Sequence, residues 1–291
     1  MPERPLRRVA VLTKGRPEAT ARALSDLAGE GRRLGLELLL TPDEWLKHGI
    51  GEREGFARAS EADIRSADVC LVLGGDGTIL RALGRLLGSG VPTVGVNFGE
   101  VGFLAALRQQ DWRPELERIV KGHYRVVDLV TLEVRHEGRQ HVAVNDVVLS
   151  RVEPRHVLHL SYDVSGIHVG EMLCDGVIVA SPAGSTAYNL SCDGPLVVWD
   201  ANVLVLNFIA PHSLGFRPIV LRPDHVIRVR NVSPLAHAEI VVDGAIVDRV
   251  RCGHDIEVTT GQARARLLIR EGGSFYQNVE EKLFNRSRYA L

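Results

Sequence analysis

Apolar residues in the first third of this chain gather in short runs, and most of these runs stop at glycine or at a charge. Arg8–Thr13 (R-V-A-V-L-T) ends at Lys14-Gly15-Arg16, and a helical stretch begins at Pro17 with Ala21, Leu24, Leu27 and Leu34 on one face. Residues 37–41 and 69–73 repeat the strand pattern. The latter run meets Gly74-Gly75-Asp76-Gly77-Thr78, after which Ile79, Leu80 and Leu83 take helical spacing as far as Gly88-Ser89-Gly90. Residues 91–96 form another buried strand and 112–121 another helix, with Gly122 as its stop. Wholly apolar strands alternating with amphipathic helices predict a parallel sheet covered on both faces.

Beyond about residue 124 the period changes to two. Strand-like runs at 126–135, 140–150, 157–164 and 167–173 are separated by turn signals such as Glu137-Gly138 and Ser165-Gly166. Further strands are expected at 176–180, 203–209, 226–229, 239–242 and 256–259, with a hairpin signal at Asp243-Gly244. Helical spacing returns at 279–284. The expected architecture is therefore an α/β domain with a parallel sheet (1–123), then a mostly β domain (124–272). A C-terminal tail (273–291) follows, whose helix can return to the first domain.

Composition narrows the function classes. A length of 291 residues suits two cores, and a net charge of −1 supplies no basic field for nucleic acid. No apolar run approaches the ~20 residues of a membrane span, and the run after Arg7-Arg8 is too short for a signal peptide. The four cysteines include no C-x-x-C pair, so neither zinc nor a disulfide framework is indicated. A soluble cytoplasmic protein is expected.

Four stretches combine glycine with polar chemistry. In Gly74–Thr78 glycines let backbone amides approach a ligand, and the helix start behind them favours phosphate. Asp76 is then a base, a metal ligand or a hydroxyl acceptor, unless it only caps its helix. Lys14, Asp76 and Asn97 fall at strand ends, where parallel sheets bind ligands; Lys14 and Arg16 either reach phosphates or are solvated charges. A second glycine-bearing turn is N-F-G-E-V-G-F-L (97–104); neither G-x-G-x-x-G nor a P-loop fingerprint occurs. Asn145-Asp146 interrupts an apolar run, and both can face one ligand only at a bulge or bend. Residues 175–195 (D-G-V-I-V-A-S-P-A-G-S-T-A-Y-N-L-S-C-D-G-P) again place a strand, a glycine turn and hydroxyls in order. There the alternative is a helix cap with Tyr188 in the core. Pro211–Pro218 (P-H-S-L-G-F-R-P) reads as a rigid turn whose Arg217 bridges carbonyls, and the other histidines show no ligand spacing.

In this order, G-G-D-G-T, N-D, D-G-V-I-V-A-S-P-A-G-S-T-A-Y-N-L-S, P-H-S-L-G-F-R-P and V-V-D-G resemble the bacterial ATP-NAD kinases. G-G-D-G-T alone is shared with lipid kinases; the G-S-T-A-Y stretch discriminates. The resemblance implies transfer of the γ-phosphoryl of ATP, with polyphosphate as a further donor to test, to the 2′-hydroxyl of the adenosine ribose of NAD. It implies that Asp76 orients or deprotonates that hydroxyl and that Gly74, Gly75, Gly77, Thr78 and Arg81 line the phosphates. Asn145, Asp146, Thr186, Ala187, Tyr188 and Ser191 would hold NAD, joined by Asp175 from a neighbouring subunit of a homodimer or homotetramer. Mg²⁺ or another divalent metal would accompany ATP, with Asp76 the one side chain placed to touch it. The chain departs from the family pattern at Asp146 (more often Glu), Ala183 (usually Thr) and Glu100 (usually basic or neutral polar). Two other readings are a diacylglycerol-type lipid kinase and a non-catalytic NAD/NADP sensor.

Overall fold

The computed structural model describes residues 6–15, 17–49, 55–98 and 102–284. The chain forms two units, one of Met1–Asp128 with Ala265–Leu291 and the other of Leu129–Arg264. Among the described residues no helix is long and apolar enough to cross a membrane.

The first unit is built on an eight-stranded sheet. Its strands run in the order Ala57–Arg58, Glu37–Leu40, Arg8–Thr13, Val69–Gly74, Thr93–Asn97, Ala265–Arg270, Tyr124–Leu129, and Leu107–Arg108 also pairs with Thr93–Asn97. The central pairings are parallel, and Val69–Gly74 is buried along its whole length, which is why these strands read as unbroken apolar runs. The helix Ala21–Leu34 covers one face with Ala23, Leu24, Leu27 and Ala28. It starts later than the expected Pro17, because Pro17–Ala19 is a separate 3₁₀ turn.

The helix Asp76–Arg85 buries Thr78, Ile79, Ala82 and Leu83. It lies close because Gly95, in mid-strand, leaves room for Ile79: a Cβ there would fall 2.2 Å from Ile79 Cδ1. Helices at Pro42–His48 and Glu61–Ile64 and the strand Ala265–Arg270 were not anticipated from the sequence pattern. The helix expected at 279–284 starts at Phe275 as an α-helix and widens into a π-helical turn over Glu280–Phe284. There Phe275 stacks on Phe103 at 6.5 Å, Asn278 Nδ2 donates to the Phe103 carbonyl at 2.6 Å, and Arg108 pairs with Glu281. The tail is thus part of the first unit.

The second unit packs two six-stranded antiparallel sheets face to face. One runs Ile219–Leu221, Leu204–Ile209, Gly176–Ala180, Asp146–Arg151, Ala238–Val242, Ala245–Val250. The other runs Ile167–Cys174, Leu158–Val164, Ile227–Asn231, Asp255–Thr260, Leu132–His136, Arg139–Ala143. Leu149, Val179, Leu206 and Phe208 meet Leu132, Leu160, Val229 and Val258 in its core.

Two runs expected as single strands are divided. The run 126–135 splits into Tyr124–Leu129 in the first unit's sheet and Leu132–His136 in the second unit. The run 140–150 splits at Val144-Asn145, so that Arg139–Ala143 and Asp146–Arg151 join opposite sheets. Burial is unbroken through Val130-Thr131, so apolar periodicity cannot mark the first break, whereas the polar pair Asn145-Asp146 does interrupt the run at the second.

Candidate functional site

The strand Val69–Gly74 delivers the glycine loop to the carboxyl edge of the parallel sheet. Gly74 pairs with Asn97, and the Lys14 amide donates to the Leu73 carbonyl at 2.9 Å, so three strand ends lie side by side. Gly74 is required by packing, since a Cβ would meet Thr78 Oγ1 at 2.7 Å. Gly75 and Gly77 are different: neither has positive φ, and a Cβ on either meets no described atom within 4 Å. The fold makes no use of their bareness, whereas a phosphate approaching the first amides of the ten-residue helix Asp76–Arg85 would. Thr78 is buried and Arg81 is exposed in the second turn of that helix.

Asp76 is not the cap of its helix. Gly75 holds that position, and the Asp76 carboxylate instead faces the second glycine-bearing turn. Oδ2 accepts the Phe103 amide at 2.6 Å and Oδ1 the Leu104 amide at 3.1 Å. Gly102 makes this approach feasible, because a Cβ there would lie 1.9 Å from Asp76 Oδ1. Both loops stand out in the sequence, but nothing local joins them; the one signal is G-F-L (102–104), a glycine followed by two amides. Arg16 and Glu100, with the rest of 99–101, lie outside the described residues.

In the second unit, Asn145 and Asp146 sit at the bend between the sheets. The Asp243 carboxylate accepts three successive amides there: Val144 on Oδ2 at 2.8 Å, and Asn145 and Asp146 on Oδ1 at 2.8 and 3.2 Å. From the other side Ser181 Oγ donates to the Val144 carbonyl at 2.6 Å and the Ser181 amide to the Asn145 carbonyl at 2.8 Å. Gly184 presses on the same carbonyl; a Cβ would come within 2.0 Å of it. Asn145 Oδ1 is buried and has no hydrogen-bond partner among the described residues. Asp146 is also buried, and burial first, then the Asp243 charge, pushes its carboxyl up to about 7. Burial raises Asp243 as well, against the lowering pull of its three amides. From sequence Asp243 was read as a hairpin residue and as part of the V-V-D-G resemblance, with no role of its own.

The loop from Ser181 to Ser191 is held by buried polar groups. Ser185 Oγ donates to the Pro182 carbonyl at 2.7 Å, and Asn189 Nδ2 donates to the carbonyls of Ser185 and Pro195, both at 3.2 Å. Asn189 was not singled out in the sequence. Thr186 Oγ1 donates to the Ala183 carbonyl at 3.0 Å. A 3₁₀ turn, Gly184–Thr186, kinks at Ala187 into the four-residue helix Tyr188–Ser191, too short for the dipole argument of the first loop. Tyr188 is 44% exposed, so it is not a core residue. Burial first, then the charges of Cys192, Asp175 and Asp146, raises its phenol. Ser191 is exposed beside it in sequence, and Asp175 pairs with Arg151 of the same chain at 3.1 Å. Arg217 does bridge carbonyls, those of Leu214 and Phe216, and His212 is exposed. Among the described residues no three His, Cys, Asp or Glu side chains gather as a metal cage.

Residues 144–269 match the ATP-NAD kinase C-terminal domain family and residues 52–124 the ATP-NAD kinase N-terminal domain family. The NAD kinase of Heliobacterium modesticaldum is 36% identical over 225 residues, covering 76% of this chain and 80% of that protein. The NAD kinase of Moorella thermoacetica is 35% identical over 228 residues, 77% of this chain and 73% of that protein. Among solved structures, an Archaeoglobus fulgidus NAD kinase in complex with ATP superposes with TM-score 0.73 at 26% identity, covering 97% of this chain and 98% of that one. Yeast NADH kinase complexed with NADH shares the fold, with TM-score 0.84 at 23% identity over 97% of this chain and 89% of that one.

Proposed function

The chain belongs to the ATP-NAD kinase family, and from that premise we propose that it transfers the γ-phosphoryl group of ATP to the 2′-hydroxyl of the adenosine ribose of NAD. The observation that supports this most is the fixed carboxylate at the glycine loop. An ionised carboxylate offers about four acceptor positions, and the Phe103 and Leu104 amides take two from Asp76. The rest can receive a hydroxyl proton. In the transfer, the bond from the γ-phosphorus to the bridging oxygen of ADP breaks as the ribose oxygen bonds to phosphorus. The hydroxyl proton passes to Asp76, which has otherwise only to hold the hydroxyl in line.

Gly74, Gly75, Gly77, Thr78 and Arg81 receive the phosphates on the open side of the loop. The orphan Asn145 Oδ1 accepts from the adenosine moiety, with Asp146, Thr186, Ala187, Tyr188 and Ser191 completing the dinucleotide site. A divalent ion such as Mg²⁺ fits a site with one free carboxylate when the triphosphate and water supply most of its ligands, and it neutralises phosphate charge there. Asp76 is the loop side chain available to it. Asp175 acts across a homodimer or homotetramer.

Purified protein with ATP, Mg²⁺ and NAD should form NADP; no NADP overturns the reading. The same assay run with polyphosphate and with NADH defines donor and acceptor. NAD binding without turnover, equal in wild type and Asp76→Asn, would identify a sensor instead.

A further inference from the structure

The polar pair Asn145-Asp146 permits a bend, but it does not by itself turn three successive amides to one side. V-A-V-N-D-V-V-L contains neither glycine nor proline, and its β-branched residues favour a continuous strand. In a strand successive amides point to opposite sides, so three in a row cannot share one acceptor. Here the amides of Val144, Asn145 and Asp146 all meet the Asp243 carboxylate. We propose that Asp243 is the positioning residue of the dinucleotide site: by gathering these amides it breaks the strand at Asn145 and fixes where that side chain meets NAD. This rests on the reading that Asn145 and Asp146 hold the dinucleotide.

Three further observations converge on it. Asp243 sits at φ +48°, a conformation glycine adopts without strain, so the side chain is kept for its own sake. Its own amide donates to the Asp146 carbonyl at 3.1 Å, so the turn and the bend hold each other. Ser181 and Gly184 close on the Asn145 carbonyl from the opposite side, leaving that residue no backbone freedom. Within this cradle Asn145 Oδ1 is buried and has no hydrogen-bond partner among the described residues. A buried acceptor left unmet on a fully fixed backbone is the mark of a site organised before its ligand arrives. Asparagine at 243 tolerates the same φ but brings an NH₂ group against one of three N–H groups. Only a carboxylate accepts all of them.

Steady-state kinetics of Asp243→Asn and Asp243→Ser test the assignment. Both should raise KM for NAD at least tenfold, with kcat and KM for ATP changed less than threefold. A role in stability alone would lower the melting temperature and the active fraction while both KM values stay at wild type, and that result overturns the proposal. Hydrogen exchange on the wild type needs no variant to fold. The amides of 144–146 should be protected without NAD; fast exchange that slows only when NAD is added also overturns it. A wild type that makes no NADP would sink the proposed activity. An active wild type whose Asp243→Asn variant keeps its KM for NAD sinks this inference alone.

Discussion

Two acids in this protein are held in different ways. Asp76 is fixed at the glycine loop by the Phe103 and Leu104 amides, which leave it acceptor positions for a hydroxyl proton. Asp76→Asn should lower kcat by about 10²–10⁴-fold, the usual share of a general base, measured at saturating ATP and NAD. Unchanged turnover removes the proton-accepting role. Asp146 is instead buried beside another acid and keeps its proton to about 7, against 3.8 for an ordinary aspartate. Between those values the folded state binds more protons than the unfolded chain, so stability from this group falls as pH rises across that window. Thermal melts at pH 4, 5.5 and 7 should therefore show wild type losing stability relative to Asp146→Asn as pH rises. A constant difference between the two proteins would contradict the buried, protonated state.

The helix behind the glycine loop shows which glycines serve the fold and which serve a ligand. Gly95→Ala forces Ile79 outward and should cost about 1–3 kcal/mol in a denaturant titration, as overpacking does. Gly75→Ala meets no described atom at φ −102°, so stability should stay within about 0.5 kcal/mol of wild type while KM for ATP rises at least tenfold. Equal stability losses for the two would void the distinction. The same contrast explains what was legible in the sequence. The loop, its strand and its helix were readable because periodicity and glycine are local signals. The contact of Asp76 with Phe103, 27 residues on, was not, since it exists only once neighbouring strands are in register. The bend at Asn145 was legible only as the condition for Asn145 and Asp146 to face one ligand, because the group that makes it, Asp243, is 98 residues away.

At the scale of the molecule, the two units differ in how their chain is laid down. Leu129–Arg264 holds every strand of both its sheets in one continuous segment. The first unit does not, because Ala265–Arg270 lies between Thr93–Asn97 and Tyr124–Leu129 in its sheet. That strand was not expected from the sequence, and the span 124–272 assigned it to the mostly β domain, because an apolar run carries no mark of the sheet it joins. A fragment of residues 129–264 should accordingly melt cooperatively in circular dichroism, whereas residues 1–128 should not until a segment of residues 265–291 is added. Cooperative melting of 1–128 alone would refute this. The bond from Asn278 to the Phe103 carbonyl also sets a schedule. Phe103 gives its amide to Asp76, and the side chain that fastens Phe103 comes 175 residues later. At roughly 5–20 residues per second a ribosome takes roughly 10–35 s to cross that gap. Through that interval the nascent chain carries Asp76 and the Phe103 amide but not the C-terminal side chain that fastens Phe103.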